Sequence, residues 1–258
     1  MKRSMVFCVL MAGLVLSWGL TGCDQEASME KGAIVEGTVL VGWEKPVQGK
    51  IKIPDGVTDI SENVFSRCGE ITSVIIPSSV KSIGKEAFSY CGELKSVEFS
   101  GTGLKIISKE AFRKCSNLVS ITIPDTVTTI GVNAFYDCTK LPTVTIPDSV
   151  TTLDEGAFSG CTGLRDLIIG KSVERIEKVT FNNCTSLTSV TIPNSVTFIS
   201  GAAFYRCAAL KTVRASGTWE REYWNGLGYS KESCVISADK LKQRNDSYED
   251  SFYRKTAY

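Results

Sequence analysis

Apolar and polar positions along residues 51–216 follow one pattern that recurs about every 23 residues. Each unit first alternates polar and apolar residues, as in Ser189-Val190-Thr191-Ile192, which is the two-residue period of a strand buried on one face. Apolar residues then recur three or four positions apart, which predicts a helix or a tight helical turn. In the last complete unit these residues are Ile199, Ala203, Phe204, Cys207 and Leu210.

Seven cysteines mark the units, at spacings of 23, 24, 23, 23, 23 and 23 residues. They are Cys68, Cys91, Cys115, Cys138, Cys161, Cys184 and Cys207, each with a phenylalanine three residues before it. A unit this short buries its apolar face only by stacking on its neighbours. The pattern therefore predicts an α/β repeat solenoid of about seven 23-residue units, with a parallel sheet on one face and short helical turns on the other.

Composition narrows the possible functions. Twenty-nine Lys and Arg residues oppose 28 Asp and Glu residues, so no basic field favours nucleic acid. The chain has no histidine, which removes the usual general base and the commonest nitrogen ligand for metals. The carboxylate pair Asp154-Glu155 falls in a variable turn, and no phosphate loop or metal motif is present. We therefore expect a non-catalytic protein without a metal or cofactor.

The repeated cysteine has three possible roles. Its place next to phenylalanine on the apolar side predicts a buried thiol that acts as a small hydrophobic side chain. Disulfides are the alternative in an exported protein, although seven parallel side chains cannot all pair. Metal binding is the third possible role, but the chain has neither a C-x-x-C motif nor a histidine to support it. Cys234 lies outside the array and is the best candidate for a reactive or paired thiol.

The N-terminus predicts export. Lys2 and Arg3 precede an apolar run from Met5 to Leu20, which is the layout of a secretory signal and is short for a membrane-spanning helix. The following Leu20-Thr21-Gly22-Cys23 resembles the bacterial lipobox, which implies cleavage before Cys23 and lipidation of that cysteine. We therefore expect a lipoprotein signal peptide at 1–22 and a lipidated cysteine with its tether at 23–36. This lipid would anchor the protein to the membrane.

The two ends of the array carry non-repeating sequence. We predict a solenoid with its N-terminal cap at 37–216, the cap being two short strands around Trp43. A C-terminal cap and a mobile tail are predicted at 217–258. The aromatic residues of this segment either seal the last unit or form a carbohydrate-binding platform: they are Trp219, Tyr223, Trp224 and Tyr229.

The consensus L-x-x-V-x-I-P-x-x-V-x-x-I-x-x-x-A-F-x-x-C resembles the BspA-type, or treponemal-type, leucine-rich repeats over about residues 51–216. Unlike other leucine-rich repeats, no asparagine recurs after the strand; Pro-x-Ser-Val or Pro-x-Thr-Val stands there in most units. The resemblance implies binding through the outer strand face, with adhesins for fibronectin, fibrinogen or other bacterial cells among known members. It does not identify the ligand.

The outward positions of the strand lie five and seven residues after each cysteine. Either they are hydroxyl and β-branched residues that stabilise neighbouring strands, or they form a docking face. The candidate ligand face comprises Ser73, Ile75, Ser96, Glu98, Ser120, Thr122, Thr143, Thr145, Asp166, Ile168, Ser189, Thr191, Thr212 and Arg214.

Together these features predict an exported lipoprotein of the bacterial membrane that binds a protein partner, with adhesion to host extracellular matrix or other cells as its role. The alternative is a periplasmic scaffold for envelope proteins with no host ligand. Nucleic acid is not expected as a partner. A homodimer through the open ends of the solenoid is possible.

Overall fold

The computed structural model describes residues 32–44, 46–216, 219–224, 229–234, 238–242 and 252–255. The predicted signal peptide and the lipidation site Cys23 lie outside these residues. Within them the chain winds as a solenoid of about eight turns with a spacing of about 23 residues, which confirms the predicted repeat architecture. No helix in the described segments is both long and apolar enough to cross a membrane.

An antiparallel hairpin covers the N-terminal end. Strands β1 (Ala33–Glu36) and β2 (Val39–Trp43) form it, and β1 lies in the segment that was predicted to be tether. The Trp43 ring lies 5.4 Å from the ring of Phe65, tilted by 52°. The hairpin therefore closes the apolar interior at the first unit, as the sequence predicted for Trp43.

The predicted parallel sheet, here called the first sheet, receives one strand from each turn. Its hydrogen-bonded groups are β3-β5-β7-β9, β11-β13 and β15-β17. These strands are β3 (Gly49–Lys52), β5 (Ile71–Ile76), β7 (Ser96–Phe99), β9 (Ser120–Ile121), β11 (Thr143–Thr145), β13 (Asp166–Ile168), β15 (Ser189–Thr191) and β17 (Thr212–Arg214).

A second parallel sheet, which the sequence pattern did not predict, follows the proline turn of each unit. Its strands are β4 (Asp59–Ile60), β6 (Ser82–Ile83), β8 (Ile106–Ile107), β10 (Thr129–Ile130), β12 (Thr152–Leu153), β14 (Arg175–Ile176) and β16 (Phe198–Ser200). Strands β4 to β12 continue the N-terminal hairpin as one sheet of seven strands. Ile199, which was predicted to begin a helical face, instead lies in β16.

The C-terminal segments add antiparallel strands to this second sheet. They are β18 (Trp219–Trp224), β19 (Tyr229–Cys234), a short helix α1 (Ala238–Lys242) and β20 (Phe252–Lys255). Strand β20 pairs with β16 and β18, although it belongs to the tail that was predicted to be mobile. Trp219 is only 1% exposed, as expected of a residue that seals the last unit.

The helical turns predicted for the other side of the solenoid are wrong. The residues from each second-sheet strand to the cysteine form consecutive β-turns, in which left-handed residues recur four positions apart. In the Cys91 unit these are Glu86 (φ 55°) and Tyr90 (φ 61°). Such angles are incompatible with a right-handed helix and suit the third position of a type II turn.

The hydrogen bonds of this segment explain why no helix forms. The N–H of Ala87 donates to the carbonyl of Gly84 within its own turn, whereas the N–H of Phe88 donates to the carbonyl of Ala111 in the next unit, at 2.8 Å. Every second backbone N–H in this segment thus donates to the neighbouring unit, and the N–H groups between them donate within their own turn. The apolar residues three and four positions apart do lie on one side, as predicted. Successive β-turns place them there, in the same way that a helix would.

Seven phenylalanines stack through the solenoid interior. Neighbouring ring centroids from Phe65 to Phe204 lie 5.0–5.9 Å apart, with interplanar angles of 2–19°. All seven rings are fully buried. Stacked aromatic pairs add to the free energy of burial, so this column fixes each unit on the next.

The repeated cysteines lie beside this column, which confirms that they pack in the core. Six are fully buried, and Cys68 of the first unit is half-buried. Each buried thiol donates to the carbonyl of the preceding unit's phenylalanine, as Cys91 does to Phe65 at 3.1 Å, and none of the seven repeat cysteines forms a disulfide within the described part of the chain. Burial raises the pKa of Cys91 and of Cys161 to about 12. Their nucleophilic thiolate form is therefore scarce at physiological pH.

One unit carries an extra residue, and two glycines accommodate it. The interval from Cys91 to Cys115 is 24 residues and contains Gly101 and Gly103. A Cβ at Gly103 would lie 1.8 Å from the carbonyl oxygen of Ser78. The absence of a side chain therefore lets this unit approach the preceding backbone and stay in register.

We predict that the six buried repeat cysteines resist alkylation in the native protein. Iodoacetamide needs access to the thiol and its thiolate form. Burial denies access at all six sites, whereas Cys68 is partly accessible. The pKa is also raised at five of the six sites, and only that of Cys207 is lowered, by its hydrogen bond with Cys184. Peptide mapping after labelling at mildly alkaline pH, with and without guanidinium, measures each site separately. Native labelling of the buried thiols as fast as that of Cys68 would contradict their place in the core.

We also predict that Gly103→Ala lowers the free energy of unfolding by roughly 1–3 kcal/mol, because a backbone carbonyl must move to admit the methyl group. Gly92→Ala is the matched control. No atom lies within 4 Å of its added Cβ, and Ala208 occupies the equivalent position in another unit. This control should be neutral or stabilising. Denaturant titration measures both, and equal effects would refute the close approach.

Candidate binding face and groove

The structure places the fourteen residues of the candidate ligand face on the outer side of the first sheet. None of them is buried, whereas the residues that alternate with them, such as Val74, Val144 and Val190, point into the core. The alternation follows from the strand period of two. The positions are therefore where the sequence predicted, and their role in binding remains a prediction.

Strand register arranges these residues in two rows across the sheet. Ser73 pairs with Ser96 and Ser96 with Ser120, in the row five residues after each cysteine. In the second row Thr145 pairs with Ile168, and Thr191 pairs with Arg214. Neighbouring members of a row are about 4.8 Å apart, so the face is flat enough for a ligand to contact several units.

Pro142 interrupts this face between β9 and β11. In four other units the residue four positions after the cysteine donates its N–H to the unit before, as Arg165 does to the Pro142 carbonyl at 2.8 Å. Pro142 has no N–H, so the equivalent bond to Val119 cannot form. The hydrogen-bonded ladder ends there, and the Val119 side chain is exposed.

Charge is unevenly distributed along the face. The middle, around Thr143 and Thr145, carries hydroxyl groups and no charge. On the first sheet, the last three strands and the residues directly before them carry the exposed cations Arg165, Lys211 and Arg214 against one exposed carboxylate, Asp166. This end of the first sheet is therefore locally basic in a chain whose total charge is close to zero.

A groove of about 590 Å³ lies at the edge of the basic end, between the Cys161 and Cys184 units. Ile168 is its most accessible apolar residue, with 61% of its surface exposed. The lining is mixed and largely apolar: Leu167, Ile168, Ile169, Lys171, Thr191, Ile192, Pro193, Asn194 and Ser195. A mostly apolar cleft with a few polar groups is the usual form of a ligand site.

The groove adjoins a departure from the repeat. Five units have Ile-Pro after the strand, whereas the Cys161 unit has Ile169-Gly170. A Cβ at Gly170 would lie 2.2 Å from the Pro147 carbonyl oxygen, so this turn packs tightly against the preceding unit. Gly170 itself does not line the groove, but its neighbours Ile169 and Lys171 do. The sequence analysis missed this feature, and the loss of proline at Gly170 was the signal that could have revealed it.

In the described part of the chain, some polar groups at the groove have an ion-pair or hydrogen-bond partner and others do not. The Lys171 ammonium lies 3.3 Å from the Asp148 carboxylate. The backbone N–H of Lys171, and then its ammonium, hold the pKa of Asp148 below its usual value. The Ser195 hydroxyl oxygen, by contrast, is buried and has no hydrogen-bond partner within the described residues.

The turn side of the solenoid carries a second cluster of cations. Arg67, Arg113 and Lys114 lie 5.1–5.5 Å from the centroid of the Tyr90 ring. Arg113 also donates to the Glu110 carboxylate at 2.8 Å. Because these cations already contact an aromatic ring or a carboxylate, the cluster stabilises neighbouring turns and offers little free positive charge.

Similar structures come from several bacteria. A leucine-rich repeat protein from Bacteroides ovatus matches with a TM-score of 0.66 and 27% identity, over 74% of this chain and 53% of its own. A leucine-rich cell surface protein from Faecalibacterium prausnitzii matches with a TM-score of 0.64 and 30% identity, over 76% and 60%. The leucine-rich repeat protein of T. pallidum matches with a TM-score of 0.64 and 27% identity, over 73% and 91%.

The chain thus spans little more than half the length of the first two structures. A comparison with curated proteins found no match. The model of the BspA-type leucine-rich repeat region matches six copies over residues 47–106 and 105–221, well over half of the chain. The sequence consensus, the stacked units and this match lead to one conclusion: the chain belongs to the BspA-type leucine-rich repeat family.

Proposed function

We propose that this protein is a lipid-anchored envelope protein that binds a protein partner through the outer face of its first sheet. Repeat proteins of this family are generally non-catalytic binding scaffolds, which supports binding as the activity. The observation that carries the proposal is the outer face formed by the three groups of strands, on which none of the fourteen candidate residues is buried. Its length across several units suits a macromolecular ligand.

Adhesion is the role we propose for this binding, with a host extracellular matrix protein or another cell as the partner. The similar protein from Faecalibacterium prausnitzii is described as a cell surface protein, which supports an external location here. Fibronectin and fibrinogen are the first ligands to test, because the family resemblance connects its adhesins with them. The hydroxyl region around Thr143 and Thr145 is the neutral part of the face.

We predict that protease added to intact cells digests the solenoid, and that Cys23→Ala moves the protein from the membrane fraction to the soluble fraction. The first result follows from display outside the outer membrane and the second from loss of the lipid. Immunoblotting of treated cells and of fractionated lysates measures both. A periplasmic protein serves as the protection control. Digestion only after permeabilisation would overturn the adhesin proposal in favour of a periplasmic scaffold.

We further predict that the double variant Thr143→Lys and Thr145→Lys weakens binding to a matrix protein at least about tenfold, because two large cations cover the neutral part of the face; this corresponds to about 1.4 kcal/mol. The matched control places lysines at Thr129 and Thr152 on the second sheet. Surface plasmon resonance with fibronectin and fibrinogen measures the change. Equal loss in both variants would exclude the first sheet as the ligand face.

A further inference from the structure

The groove beside β13 presents an apolar anchor point where the two adjoining units present a hydroxyl. Ile168 occupies the position that is threonine in both of them, Thr145 and Thr191. It is the most exposed of the large hydrophobic residues among those described. Leu167 and Ile192 also line the groove but are almost fully buried, so Ile168 supplies its accessible apolar surface, against which an aliphatic or aromatic side chain would gain free energy.

Positive charge lies within reach of this anchor point. Arg214 pairs with Thr191, and β15 follows β13 without a hydrogen-bonded ladder between them, so Arg214 lies at least two strand spacings, roughly 10 Å, from Ile168. An extended peptide rises about 3.3 Å per residue, so three residues cover that distance. Exposed Arg165 and Lys211 lie farther along the same end of the face. No described carboxylate forms an ion pair with Arg165, Lys211 or Arg214.

We infer that this groove and its neighbouring cations bind an extended acidic peptide segment of the partner, with one aliphatic or aromatic side chain seated against Ile168. The inference rests on the proposed function and specifies its ligand chemistry. The anchor enters the groove beside Ile168, and carboxylates of the segment pair with Arg214 and Lys211. Rotation of the Ser195 hydroxyl towards the groove would let it donate to a peptide carbonyl and gain the partner that it lacks.

Three fluorescein-labelled probe peptides test this chemistry by fluorescence anisotropy with the purified protein. One alternates Glu and Leu, one replaces Leu with Ser, and one replaces Glu with Lys. We expect the Glu–Leu probe to bind most tightly and to weaken as salt is raised, since exposed charges are screened. Equal binding of the Glu–Ser probe would indicate a simple polyanion site, and equal binding of the Lys–Leu probe a purely apolar one. Either result would overturn the inference.

Matched variants locate the site. Ile168→Thr restores the residue of the adjoining units and should preserve the fold, and Ile106→Thr makes the same change at an exposed position of the second sheet, where Thr129 is its neighbour. Arg214→Glu is matched by Lys105→Glu, at an exposed position beside the second sheet. We expect each groove variant to weaken Glu–Leu binding at least about tenfold, or 1.4 kcal/mol, and each control to change it less than about twofold.

Unchanged binding by Ile168→Thr and Arg214→Glu would also overturn the inference, provided that their unfolding curves match the wild type. The proposed function is judged separately. If the lysine variants at Thr143 and Thr145 abolish matrix-protein binding while the groove variants do not, the first sheet is the ligand face and the acidic-peptide inference alone fails. If neither the variants at Thr143 and Thr145 nor the groove variants change the binding of any protein ligand, the proposed function and the acidic-peptide inference both fail.

Discussion

The stacking of each unit on the next is the constraint on which the rest of this structure depends. Phe88 shows how two interactions combine: its ring stacks on that of Phe112 at 5.3 Å, and its N–H donates to the Ala111 carbonyl at 2.8 Å. Neither interaction exists within a single unit. Burial of the cysteines, the alignment of both sheets and the flat outer rows all follow from that register, since a one-residue slip would move apolar strand residues to the outside.

The candidate site arises where units depart from the repeat, because a perfect repeat offers the same surface at every step. Gly170 replaces a proline next to the groove, Ile168 stands where the adjoining units have threonine, and Arg214 adds charge at the end of the row. Pro142 interrupts the sheet one unit earlier. The interior keeps its phenylalanine and cysteine in all these units, so surface chemistry varies while the core is maintained.

The buried repeat thiols illustrate how burial controls the chemistry of cysteine. A compartment that favours disulfides would be expected to pair exposed cysteines. Here burial raises the pKa of Cys115 and Cys138 well above the usual value, and their thiols donate to Phe carbonyls of the preceding units. The column is therefore protected from oxidation by the same packing that holds the units together, without any requirement for cross-links.

The sequence alone determined the solenoid, its stacked phenylalanines, the buried cysteines and the outward positions of the first sheet, because each depends on residue type and on a 23-residue period. It did not distinguish β-turns from a helix around Tyr90, since both bring apolar residues three and four apart to one side. The tertiary structure decided this, because the N–H of Phe88 finds its acceptor in the next unit. The groove at Gly170 likewise required it, since a cavity is defined by the distance between neighbouring units and not by the residues of either one.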